Sequence, residues 1–148
     1  MSDYLVRFIP ENIDAILSRE EISLVEELDW DGSIPKILFN ERILFADAGQ
    51  NFETVLCPIC KTNLTEWWGS AMCDAYSEDY GFTKLEITTP CCKKTTSLHS
   101  LDYNFPQGFY KTMIEVVPKT DGKAKLESIV DKLSDMTNVN WRIVHVHY

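Results

Sequence analysis

Apolar residues gather at the two ends of the chain in the same order of short and periodic runs. Tyr4 to Ile9 is β-branched and aromatic and stops at Pro10, the pattern of a strand. Ile13, Ile16, Leu17, Leu24, Val25 and Leu28 then recur at helical spacing, with Asn12 placed to cap them. Ser18-Arg-Glu-Glu21 fits a capping box, so this helix is expected to break and restart there. Asp29 to Pro35 carries turn residues, and Arg42 to Asp47 reads as the next strand. Beyond Gly49-Gln50-Asn51, Phe52 to Leu56 is expected to return as its hairpin partner.

The C-terminal end repeats the order. Phe109 to Val117 is a strand that stops at Pro118, and Leu126, Ile129, Val130, Leu133 and Met136 mark one face of a helix begun near Thr120-Asp121-Gly122. Asn138 to Asn140 turns the chain into a last strand, Trp141 to Tyr148. Strand, helix, strand at each end predicts an α+β fold of the ferredoxin-like kind, a split β-α-β sandwich. Its body is residues 1–47 and 105–148, and residues 48–104 form a zinc-ribbon-like module inserted between its second and third strands. Such an insertion is tolerated because closing a longer loop costs only slightly more.

Composition supports a folded chain: 45% of its 148 residues are hydrophobic and 11% aromatic, which excludes a disordered polymer. No stretch approaches the roughly 18 apolar residues of a membrane span. Met1-Ser2-Asp3-Tyr4 lacks the features of a signal peptide, so a cytoplasmic protein is expected. The formal charge is −9 and the 14 basic residues are scattered, which disfavours nucleic acid as a partner. An acidic surface suits a basic protein partner, or imitates a nucleic-acid backbone.

Five cysteines are an odd number, and in a reducing compartment they point to metal or free thiols rather than disulfides. Cys57-Pro-Ile-Cys60 has the two-residue gap that lets two sulfurs converge on one ion. Thirty residues on, Pro90-Cys91-Cys92 offers a second pair. Adjacent side chains diverge in an extended strand but can face one ion at a tight turn. The expected ligands of one structural Zn²⁺ per chain are therefore Cys57, Cys60, Cys91 and Cys92, with Cys73 or His99 as substitutes. For Cys73, core packing is the simpler role. A redox pair at Cys57 and Cys60 explains less than zinc, and four sulfurs leave no open position for a catalytic water.

Phe45 to Cys60, Thr88 to Cys92 and Ser97 to Phe109 together resemble a group of bacterial proteins without an assigned activity. In that group a C-x-x-C, a Pro-Cys-Cys and a Ser-Leu-x-x-Leu-x-Tyr-x-x-Pro-x-Gly-Phe segment recur in this order. The likeness covers the middle half of the chain, and it implies that Cys57, Cys60, Cys91 and Cys92 are the group's recurring cysteines. Where the group often has glycine after its cysteine pair, this chain has Lys93.

Other chemistry is sparse. His145 and His147 share a strand face and could bind metal, though a solvent-facing or sheet-packed pair is the simpler reading. Asp74, Glu78 and Asp79 read as a solvated run, and Trp68, Met72 and Tyr76 as a helical core stripe. Trp67, Tyr80 and Phe82 add to an aromatic set that would cover the metal, with some left exposed as interface anchors. Phosphate loops, nucleophile elbows and dinucleotide fingerprints are absent, so no enzyme is expected. The expected function is a zinc-stabilised protein-interaction module, with a toxin-neutralising immunity protein as one form. A nucleic-acid-associated zinc ribbon is the alternative.

Overall fold

Alternation along β1 (Tyr4–Pro10) sends Val6 and Phe8 to one side of a sheet, where both are fully buried. A computed structural model describes residues 4–118 and 123–148. After β1 come α1 (Arg19–Glu27), β2 (Lys36–Ala46), β3 (Val55–Leu56), α2 (Thr65–Ala75), β4 (Tyr76–Ser77) and β5 (Gly81–Phe82). Then follow β6 (Glu86–Thr88), β7 (Thr95–Ser97), a 3-10 turn (Leu98–Ser100) and β8 (Asp102–Tyr103). The chain closes with β9 (Gly108–Val116), α3 (Lys123–Thr137) and β10 (Trp141–His147).

The architecture is mixed α+β, with antiparallel pairing throughout its strand ladders. The main sheet has the order β10-β1-β9-β2-β5-β4. β1 is its hub: it pairs along its whole length with β10, from Tyr4 opposite His147 to Pro10 opposite Trp141, and with β9 on the other side. One face of the sheet packs Val6, Phe8, Ile114, Val116 and Trp141 against Val25 of α1, Trp30 in the turn after it, and Leu126, Ile129 and Leu133 of α3. These contacts bury the α3 stripe that the periodicity marks. The expected start of that helix at Thr120-Asp121-Gly122 lies outside the described residues.

Helix α1 begins at the capping box. Ser18 Oγ accepts from the Glu21 backbone N–H at 3.1 Å, and the Glu21 carboxylate accepts from the Ser18 N–H at 2.9 Å. The upstream half of the expected helix does not form: Asn12 closes only a turn, accepting from Asp14 and Ala15, and Ile16 is exposed. Two bonds at Ser18 satisfy donors that a continuous helix would have bonded to residues 14 to 17, so the cap starts the helix there. Ser18→Ala is expected to cost about 1 kcal/mol of stability in chemical denaturation, the usual worth of a serine N-cap.

Strand β2 is longer than the sequence suggests, because Lys36 to Phe39 already pairs with β9. The register then slips between Phe39 and Leu44, so the extra residues bulge before pairing resumes. The expected hairpin of residues 42–47 with 52–56 is not formed. β2 takes β9 as its partner, and the short β3 pairs instead with β8. Tyr103 and Asp102 give Val55 and Leu56 their ladder partners, and on the other side Leu56 bridges Asn63 while the Leu64 N–H donates to Val55 O at 2.7 Å.

The stretch between β2 and β9 is not detached from the sheet. β4 and β5 extend its β2 edge through Ile43 opposite Phe82. Val55, Cys57, Leu64, Leu98, Leu101 and Tyr103 share one buried cluster with Phe109 of β9, and Ile43 and Phe45 of β2 pack against it.

Candidate metal centre

Two knuckles of the same backbone shape bring the four cysteines together. In the first, Leu56 bridges Asn63, the Cys57 N–H donates to Thr62 O at 2.9 Å, and the Lys61 N–H donates to Cys57 O at 3.0 Å. In the second, at the tip of the β6–β7 hairpin, Thr88 pairs with Thr95. There the Thr89 N–H donates to Lys94 O at 2.9 Å, and the Lys93 N–H donates to Thr89 O at 2.9 Å. Lys61 and Lys93 both take the left-handed conformation, at φ 63° and 56°. Lysine at 93 thus makes the turn for which glycine is the easier residue.

The sulfurs of Cys57, Cys60, Cys91 and Cys92 all lie within 4.8 Å of one another, and this is the one such group among the described residues. Cys57 to Cys92 is 3.8 Å, Cys91 to Cys92 is 3.9 Å and Cys60 to Cys91 is 3.3 Å. Sulfurs at about 2.3 Å from a tetrahedral ion stand about 3.8 Å apart, so the donor set fits a single metal. A disulfide needs about 2.05 Å, and all the cysteines are free thiols.

The four thiols differ in setting. Cys57 is fully buried and its sulfur accepts from the Ile59 N–H at 3.4 Å. Backbone bonds at Cys60 and Ile59 hold its thiol below the usual range. The side chain and backbone of Thr62 pull Cys60 down to about 6. Cys91 is an exposed residue, yet loss of water around its sulfur, and then the neighbouring sulfurs, push it up to about 11. Without a cation, the cluster therefore keeps protons that a bound metal would displace.

The substitutes named from the sequence are elsewhere. Cys73 is exposed on α2 and outside the cluster, so it is neither a ligand nor the core thiol expected. His99 is buried and engaged at both ring nitrogens: Nδ1 accepts from the Phe109 N–H at 2.9 Å, which leaves Nε2 to donate to Glu11 O at 2.9 Å. Burial first, and then the charge of Arg142, lower its pKa to about 4, so the ring is neutral. His145 packs on the sheet, with Nδ1 2.7 Å from Tyr4 Oη and Nε2 3.5 Å from Glu127.

The aromatics underlie the centre rather than form a second site. Trp68 stacks on Phe52, meets Tyr103 edge-on and donates to its hydroxyl at 3.1 Å. Tyr76 departs from the expected stripe: it begins β4, is exposed, and meets Phe82 edge-on. Asp74, Glu78 and Asp79 are exposed, as a solvated run should be. No helix among the described residues is long and apolar enough to cross a membrane.

What the sequence missed is Thr89, which is fully buried and holds the second knuckle closed. Its hydroxyl accepts from the Lys94 N–H at 3.0 Å and lies 3.3 Å from Cys92 Sγ. Its position before Pro90, matching Cys57 before Pro58, was the available signal. Compared with family models, with curated proteins and with solved structures, the chain matches none.

Proposed function

We propose that the chain is a non-catalytic protein-interaction module whose middle segment is stapled by one structural zinc ion. The observation that carries this reading is the sulfur cluster with tetrahedral spacing, joined by no histidine or carboxylate among the described residues. An all-sulfur tetrahedral set suits zinc or iron, and saturation by protein sulfurs is the hallmark of a structural rather than a catalytic zinc site. In this reading the body is a ferredoxin-like split unit, supported by the antiparallel order β10-β1-β9-β2 with α1 and α3 on one face. A reducing cytoplasm is its setting in this reading, and the free thiols at all five cysteines support it.

The partner in this reading is a basic protein. Helix α1 carries Glu20, Glu21, Glu26 and Glu27, and Leu24 on it, Ile34 and Phe39 are exposed apolar residues. Acidic groups around such residues steer a basic surface and let apolar contacts hold it. Elemental analysis is expected to return about one zinc per chain, and iron in its place would reassign the metal. Affinity capture at native expression is expected to recover a basic protein in a complex that weakens with salt. Recovery of nucleic acid instead would replace this reading by the alternative.

A further inference from the structure

The two knuckles match position by position, and their cysteines do not. Residues 56–57 and 62–63 carry the same pairings as residues 88–89 and 94–95, so Cys57 corresponds to Thr89, Ile59 to Cys91 and Cys60 to Cys92. Cys57, Cys60 and Cys92 therefore occupy the first or last place of a C-x-x-C turn, the places whose side chains converge. Cys91 comes from the place that in the first knuckle holds the exposed Ile59. A threonine stands where the fourth converging sulfur would be.

The three regular positions are each supported by protein. Cys57 lies in the buried cluster and Cys92 packs against it with Thr89 Oγ1 at 3.3 Å, while Cys60 Sγ has Thr62 Oγ1 at 3.2 Å. The Cys91 sulfur makes its contacts with the sulfurs of Cys60 and Cys92. Cys91 also lines an open cleft of about 740 Å³ with Thr54, Thr62, Thr65, Glu66 and Trp67. Of the four cysteines Cys91 is the one that lines this cleft, so a ligand entering it meets that sulfur first.

We propose that Cys91 is the exchangeable corner of the centre: Cys57, Cys60 and Cys92 hold the metal without it, and an exogenous thiol entering by the cleft takes its place. This rests on the zinc reading above. It differs from a uniformly closed structural site, in which every sulfur would matter alike.

Cobalt(II) loading of the full chain, followed by the sulfur-to-metal absorption band, tests the proposal. Wild-type protein is expected to give a four-sulfur band. C91A is expected to bind cobalt about 10–100-fold more weakly, the scale of losing an outer partner. Its band should fall and be restored by 2-mercaptoethanol. C57A, C60A and C92A should lose stoichiometric binding. The double variant T89C/C91A should recover the four-sulfur band without added thiol, because position 89 matches position 57. The proposal is overturned if C91A loses cobalt as completely as C57A, if the thiol leaves its band unchanged, or if T89C/C91A fails to recover the fourth sulfur. Wild-type protein that binds neither cobalt nor zinc would instead remove the zinc reading itself.

Discussion

Serine at Cys57 or Cys92 is expected to release the metal and unfold the segment from β3 to β8 while the six-stranded sheet loses only its β4–β5 edge. The reason lies in how little else holds this segment. Its two separate ladders, β3–β8 and β6–β7, have two strands each and two or three residues per strand. Such ladders are at best marginal alone in water. Structural zinc contributes roughly 10–16 kcal/mol of apparent binding free energy in small zinc-binding peptides, far more than a two-residue ladder supplies.

Cys57 adds a second term, since it sits fully buried among Val55, Leu64 and Leu98. The readout is amide hydrogen exchange with and without a chelator. Protection should vanish at Val55–Leu56 and Glu86–Ser97 and persist in β1, β9 and β10. Cys73→Ser should leave both metal content and protection unchanged, because Cys73 is exposed and outside the cluster. Full protection of β3 and β6 after chelation would show that the metal is not what holds them.

Replacing Arg142 by methionine is expected to cost about 2 kcal/mol: the half-exposed Glu11 carboxylate is screened by water and contributes little of it, and the lost charge-assisted bonds to two backbone carbonyls contribute most. From β10, its guanidinium donates to both Glu11 carboxylate oxygens, at 3.0 and 2.6 Å. It also donates to the carbonyls of His99, at 3.0 Å, and Gln107, at 2.5 Å. Burial works against the charge of Glu11, but the hydrogen bonds and charge of Arg142 outweigh it and hold its pKa below the usual carboxylate value. Methionine keeps much of the apolar stem and leaves these acceptors unpaired. Lysine should recover only part of the loss, since a single ammonium cannot reproduce the fork.

His99 couples this clasp to pH. Its pKa is near 6.5 when exposed and about 4 in the fold, so between these values the unfolded chain binds the extra proton. Stability is thus fully present above about 6.5, is lost as pH falls toward about 4, and amounts to at most about 3 kcal/mol from this group. The depressed Glu11 carboxylate adds acid sensitivity of the same sign at lower pH. Denaturation midpoints across pH 4 to 7 should fall steeply for wild-type protein and less for His99→Gln. Parallel curves for the two would remove the imidazole as the cause. Gly108 keeps this junction close: a Cβ there would stand 2.6 Å from Arg142 Nη1 and 2.8 Å from His99 Nδ1.

Local chemistry made part of this molecule legible. Pro10 and Pro118 bracket β1 and β9, the α3 stripe faces the core, and Ser18 with Glu21 starts α1, because these signals act within one or two turns of chain. The C-x-x-C and Pro-Cys-Cys turns named the cluster for the same reason: each knuckle closes on itself within six residues.

Longer-range choices were hidden. Nothing near Val55 says that its partner is Tyr103 rather than a residue of β2, and nothing near His99 says that Glu11 O and the Phe109 N–H will hold its ring. Cys73 and Tyr76 read as core from their spacing, but the part of α2 that becomes buried, Ala71 and Ala75, depends on which sheet edge receives it. By itself the sequence determined most elements of the two chain ends, their α+β order and four cysteines able to meet at one metal. Only tertiary structure decided strand partners, the His99–Arg142 clasp and the correspondence of Thr89 with Cys57. Those depend on contacts between segments far apart in the chain, where the competing partners are chemically alike and geometry alone selects among them.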